Sequence, residues 1–168
     1  MKRILPLILA LSAGAASAQL ADAVSAEAAA QALARGATVV DVRPVADYRA
    51  GHLPGAVLLD AHAATRGLAA LQDQVSRQGV DLSREVVVVG QPGDLLAQRL
   101  QQHLARYATG RVSWLVGGVH EWVLSGRPVD TAAVALPAVP QYLVPLRAEA
   151  RSPRMAGAAL RDASGPAI

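Results

Sequence analysis

Four consecutive valines, Val86–Val89, constrain the fold of this 168-residue chain more than any other stretch. A β-branched side chain is stiff at its first torsion and suits a pleated strand better than a helix. A strand with one wet face alternates apolar and polar residues. This one does not, so both of its faces are covered, as in the centre of a parallel sheet flanked by helices. Strand-like and helix-like segments alternate along the rest of the body, which predicts an α/β fold.

The other elements follow in order around that strand. Residues 20–24 can make an edge strand. Ser25 caps a helix over 26–35, with Glu27 in its first turn and Gly36 as its stop. Residues 38–42 are a second buried strand, 46–50 one or two helical turns before Gly51, and 56–59 a third strand. Leu68, Leu71 and Val75 recur at helical spacing and place a helix over 66–78. A further helix spans 95–107 with Leu96, Leu100 and Leu104 on one face. Residues 112–115 form the last strand, and 119–124 a short helix that Gly126 ends. Beyond Pro128, prolines at 137, 140, 145, 153 and 166 interrupt any periodicity. They predict a Pro- and Ala-rich tail over 131–168 that links or wraps, with one short helix at 153–162 opened by Ser152 and Pro153.

The first 18 residues read as a secretory signal peptide. Lys2 and Arg3 precede an apolar run from Ile4 to Leu11, and Ala16-Ser17-Ala18 is a small-residue cleavage site. The run is too short for a bilayer span, which needs roughly 20 apolar residues. Cleavage after Ala18 is expected, with the product periplasmic or secreted and without a membrane span. The formal charge of +3 loses its force once Lys2 and Arg3 are assigned to the leader, because 16 basic residues face 13 acidic ones in the whole chain. The remaining basic residues are scattered arginines with few aromatics to stack bases, so nucleic-acid binding is not expected. The chain has no cysteine, so disulfides cannot support it.

Three motifs carry chemistry or its remains. The first is Val39-Val40-Asp41-Val42-Arg43-Pro44 followed by Tyr48-Arg49-Ala50-Gly51-His52-Leu53-Pro54-Gly55-Ala56. The second is Val86-Val87-Val88-Val89-Gly90-Gln91-Pro92-Gly93-Asp94-Leu95. The third is Trp114-Leu115-Val116-Gly117-Gly118-Val119-His120-Glu121-Trp122, then Gly126-Arg127-Pro128-Val129. In that order they resemble the signatures of a rhodanese-like domain over about residues 20–130. The domain itself is assigned to 19–130. The resemblance implies a rhodanese-like α/β fold, a five-stranded and mostly parallel sheet with helices on both faces. It also implies that Asp41 and Arg43 form a structural ion pair beside the active-site loop, and that His52 holds the Gly51–Ala56 turn rather than acting as a base. The glycines Gly51 and Gly55 are expected to permit unusual backbone angles there, while Pro54 fixes one torsion. Gly117 and Gly118 allow close packing where a strand enters a helix, and Trp122 fills core.

Catalytic rhodaneses need a cysteine thiolate at the start of the loop after the central strand, to accept a sulfane sulfur as a persulfide. Inward-pointing loop N–H groups and the next helix N-terminus stabilise the anion. Carried onto this chain, the cysteine position is Gly90, the internal glycine is kept as Gly93, and the usual arginine position is Leu95. Pro92 removes a backbone donor, and Asp94 puts a carboxylate where a helix cap is favoured and an incoming anion is repelled. No serine or threonine stands in for the cysteine, and the related cell-cycle phosphatases need the same cysteine. No catalytic residue is therefore assigned. His52, His62, His103 and His120 lack ligand spacing, so no metal is expected, and no nucleotide-type glycine motif suggests a cofactor. Two classes of function remain. One is a non-catalytic module that binds or regulates a partner protein through Gly90, Gln91, Pro92, Gly93, Asp94 and Leu95. The other is an enzyme, either a sulfurtransferase using an external thiol or a hydrolase using Asp94.

Overall fold

Strands and helices alternate through residues 22–146, the part of the chain that the structure, a computed structural model, describes. In chain order they are β1 (Ala23–Val24), α1 (Ala26–Ala34), β2 (Thr38–Asp41), α2 (Val45–Ala50) and β3 (Val57–Leu58). A 3-10 turn (Ala61–Ala64) follows, then α3 (Leu68–Arg77), β4 (Val86–Val89), α4 (Leu95–Ala105), β5 (Val112–Leu115) and α5 (Gly118–Leu124). The strands form one sheet in the order β1-β5-β4-β2-β3, and every pairing in it is parallel. The expected α/β sheet of five strands is thus found, parallel throughout.

The valine run sits where its composition demands. Val86, Val87, Val88 and Val89 are all fully buried, and β4 pairs with β2 on one side and β5 on the other. Val86 and Val88 pack into one apolar cluster with Leu71, Val75, Leu100 and Leu104, the face covered by α3 and α4. Val87 and Val89 join the opposite cluster with Ala29, Ala32, Tyr48, Leu115 and Trp122, covered by α1, α2 and α5. Burying one such side chain is worth roughly 1.5–3 kcal/mol, so the run ties both halves of the core to a single strand.

The helix boundaries follow local chemistry. The Ser25 side chain accepts the Ala28 N–H at the start of α1. The helix expected from residue 66 begins at Leu68, because Gly67 adopts φ 106° and breaks the chain direction first. The 3-10 turn was not legible beforehand: its Ala-rich sequence has no periodicity, and its start is set by the Asp60 side chain accepting the His62 N–H at 2.9 Å. The expected helix at 153–162 and the leader at 1–18 lie outside the described residues.

Residues 131–146 run across the α3–α4 face as a strap. Leu143 is buried in the core, with Val134 and Leu136 packed against the same cluster. The Gln141 side-chain amide bridges the loop before β4: its Oε1 accepts the Leu82 N–H at 3.1 Å while its Nε2 donates to the Val80 carbonyl. The Val139 N–H donates to the Ser76 carbonyl, the Leu143 N–H to Gln72 Oε1, and the Leu146 N–H to the Arg106 carbonyl. These contacts make the strap part of the fold. Leu143→Ala should therefore lower the unfolding free energy by about 2–4 kcal/mol in urea titration; an unchanged midpoint would show that the strap packs only loosely.

Candidate functional site

Strand order reverses between β4 and β2, so the crevice at their carboxyl ends is the topological switch point where α/β sheets place their ligands. Asp41 ends β2 opposite Val89, the last residue of β4, and the Val42 N–H reaches across to the Val89 carbonyl. From these two strand ends come Arg43 and the Gly90–Leu95 loop.

Asp41 and Arg43 form the anchor. Both Asp41 oxygens receive the guanidinium, Nε at 3.0 and 3.1 Å and Nη2 at 2.7 Å, and Oδ1 also accepts the Arg43 backbone N–H. Arg43 Nη2 donates in addition to the Gly51 carbonyl at 2.7 Å. The side chains are 0% and 9% exposed, so the pair is nearly desolvated and its charges are matched internally. Its geometry joins β2 to the Gly51–Ala56 turn.

His52 lies inside that turn and away from the cleft. Its Nδ1 is 2.8 Å from the Tyr48 carbonyl, and its ring stacks on Tyr48 at 3.9 Å between centroids. Its Nε2 is buried with no hydrogen-bond partner among the described residues. Backbone bonds in both directions tie His52 to Asp130, where the strap begins. Tyr48 completes the link, its hydroxyl donating to the Ala56 carbonyl and accepting the Val134 N–H. Pro54 and Gly55 make the bend of the turn, Gly55 at φ 72°. Gly51 differs from expectation. Its φ of 161° is extended backbone open to any residue, and what it supplies is space, since a Cβ there would lie 3.2 Å from Val129 Cγ2.

The loop after β4 is tightly packed around Gly90. A Cβ on Gly90 would lie 2.5 Å from the Cβ of Ala97, 3.1 Å from Asp94 Oδ2 and 3.3 Å from Asp94 Cβ. The volume of a nucleophile's side chain is thus already occupied by α4 and its cap. Asp94 Oδ1 accepts the N–H groups of Leu96 at 2.8 Å and Ala97 at 3.2 Å. Those helix N-terminal donors, the kind that can hold an anion, are thus engaged by the chain's own carboxylate. On the other side, Gly118 (φ 58°) packs so closely that a Cβ there would strike the Gly90 carbonyl oxygen. Trp122, further along α5, is buried and donates from Nε1 to the Pro128 carbonyl at 2.7 Å.

A cleft of about 630 Å³ opens beside this loop, between Arg43–Val45 and Gln91–Asp94, with Leu58–His62 as its far wall. Gln91 donates to Asp47 Oδ2 at 2.8 Å, and with Pro92 it forms a ridge. Beyond the ridge lies a second hollow of about 420 Å³ near Val119, His120, Val123 and Val129. Leu95, expected on this surface, is 66% exposed at the loop end and lines neither space. The far wall was not singled out from sequence, because only the β2–β3 pairing brings Asp60 and His62 opposite the loop. Partial burial works to raise the Asp60 carboxyl. The Arg66 hydrogen bond at 2.7 Å, the His62 N–H and the charges of both residues outweigh it and hold the carboxyl below its ordinary value. Among the described residues no cluster of histidines and carboxylates is arranged to hold a metal, and no helix is long and apolar enough to cross a membrane.

The tight fit at Gly90 yields a stability test. Gly90→Cys should destabilise by about 1–3 kcal/mol through overpacking. In a double-mutant cycle Ala97→Gly should recover a measurable part of that loss, and strict additivity would show that the two positions do not compete for space.

Comparison with known proteins agrees with this geometry. The sequence profile of the rhodanese-like domain family matches residues 25–125. An HTH-type transcriptional regulator of Mycobacterium tuberculosis is 34% identical over 96 residues, 57% of this chain and 38% of the regulator. A 3-mercaptopyruvate sulfotransferase of Escherichia coli superposes with a TM-score of 0.63 at 23% identity, over 74% of this chain and 55% of the enzyme. An anaerobic ergothioneine biosynthesis enzyme of Chlorobium limicola does so with a TM-score of 0.60 at 22% identity, over 76% of this chain and 37% of the enzyme. At such identities the two structures speak for the fold alone, and the chain spans little more than half of the first and under half of the second. The family profile covers well over half of the chain, and the parallel sheet carries the loop at its switch point. This chain belongs to the rhodanese-like domain family.

Proposed function

We propose that this chain is a non-catalytic rhodanese-like protein of the cell envelope, periplasmic or secreted, that binds a partner protein at the cleft beside its altered loop. The observation that carries the reading is the filled space at Gly90, where Ala97 and the Asp94 carboxylate stand in the volume a nucleophile needs. Sulfur transfer requires a thiolate to carry the persulfide, and the chain has no cysteine at all. An external thiol in its place would have to approach a cradle whose helix N–H groups already hold a carboxylate.

A hydrolase built on Asp94 gains no support from the geometry. Oδ1 is held by two helix N–H groups, and among the described residues no histidine or second carboxylate hydrogen-bonds to it. What remains is a shaped, ligand-sized surface at the functional edge of the sheet, flanked by apolar side chains such as Val45, 49% exposed, within the range of natural binding clefts. The Mycobacterium tuberculosis relative carries a similar segment within a protein named as a transcriptional regulator. The envelope location rests on the leader pattern of Lys2, Arg3, Ile4 to Leu11 and the site at Ala18.

Pure protein mixed with thiosulfate and cyanide should form no thiocyanate above the buffer rate, and turnover would overturn the non-catalytic reading. Intact mass of the protein recovered from the envelope should correspond to a chain beginning at Gln19. Retention of Met1 would overturn the proposed location without touching the first result.

A further inference from the structure

We infer that the partner presents a cationic side chain, a guanidinium or ammonium on an apolar stem, to the cleft beside Asp94, with an apolar neighbour seated beyond the Gln91–Pro92 ridge. This deepens the binding reading above and rests on it.

Charge selects the occupant. Asp94 Oδ1 is engaged by the Leu96 and Ala97 N–H groups, but Oδ2 has no donor among the described residues. That oxygen points to where a side chain on Gly90 would stand, 3.1 Å from the Cβ position, and Asp94 lines the cleft. An incoming anion meets a like charge there and finds the helix donors taken. An incoming N–H cation finds an open carboxylate oxygen and forms a charge-assisted bond. The nearby cations do not compensate this charge. Arg43 is committed to Asp41 and to the Gly51 carbonyl, and Arg66 to Asp60. On the ridge, the Asp47 carboxylate is bonded by a neutral amide, that of Gln91, with no cation paired to it among the described residues. His62 is exposed on the far wall and hydrogen-bonds through its backbone to Asp60.

The walls suit the rest of such a side chain. Pro44, Val45, Leu58, Pro92 and Leu96 offer apolar surface along which the methylenes of arginine or lysine can lie, leaving the charged end for Asp94. Across the ridge, Val119, Val123 and Val129 line the second hollow, and Val123 is half exposed. The two spaces share Arg43, Gln91 and Pro92, so one extended segment can fill both. The occupant with this pattern is a protein segment carrying a basic residue beside an apolar one.

The test is an amide-shift NMR titration of the full chain with three probes: N-acetyl-arginyl-leucine amide, N-acetyl-glutamyl-leucine amide and thiosulfate. The arginyl probe should shift the amides of residues 60–62 and 91–96 saturably, while the other two leave them in place. Asp94→Asn keeps a good helix cap and should weaken the arginyl probe about tenfold or more, as expected for loss of one charge-assisted bond. Equal affinity in that variant, or non-saturating shifts spread over the surface, would overturn the inference. Saturable shifts by the glutamyl probe or thiosulfate alone would overturn it too, yet leave the cleft as a binding site. If no probe moves the cleft residues, both this inference and the binding reading fall.

Discussion

The structure depends on one strand buried on both faces. β4 holds the centre of the sheet because four valines send side chains alternately into the two halves of the core. Its pairing with β2 and β5 then determines where Asp41, Gly90 and the Gly117–Gly118 bend meet. The buried Asp41–Arg43 pair locks that edge to the Gly51–Ala56 turn, and a desolvated pair of this kind is costly to break from one side. That edge is therefore tied to the core beneath it by buried contacts.

At this edge the loop after β4 places a carboxylate at the start of a helix. Gly93 still takes a positive φ, 74°, and α4 still aims its N-terminus at the crevice. Asp94 now satisfies the first N–H groups of that helix, a stabilising arrangement generally worth about 1 kcal/mol. The same carboxylate lines the crevice. Ala97 closes in on Gly90 from the helix and Gly118 from the other side, so the absent cysteine is one part of a repacked site. On the non-catalytic reading proposed above, one carboxylate both caps the helix and occupies the cradle.

Much of this was legible in the chain because it depends on local rules. The valine run marks the central strand, and Ser25 and Asp94 mark helix starts. The parts that stayed hidden depend on contacts between distant residues. Nothing in the sequence around Ala97 says that it fills the space beside Gly90, and nothing around Asp60 says that it faces the loop. The proline-rich stretch after residue 130 reads equally as linker or wrap. Over residues 131–146 the Gln141 bonds to Val80 and Leu82 and the burial of Leu143 show a wrap. Gly51 shows the converse: its residue type suggested an unusual backbone angle, while its true role is close approach to Val129.

On the reading proposed above, the loop is built around a carboxylate and has no room for a sulfur-carrying nucleophile. Restoring the family residues in a folded Gly90→Cys/Leu95→Arg variant tests it most directly. After incubation with thiosulfate, intact mass spectrometry reports whether the new thiol holds an extra sulfur atom. The account predicts an unmodified protein, because Asp94 and Ala97 still occupy the cradle. A mass gain of one sulfur, reversed by cyanide, would contradict it and show a working rhodanese site lacking only its side chains.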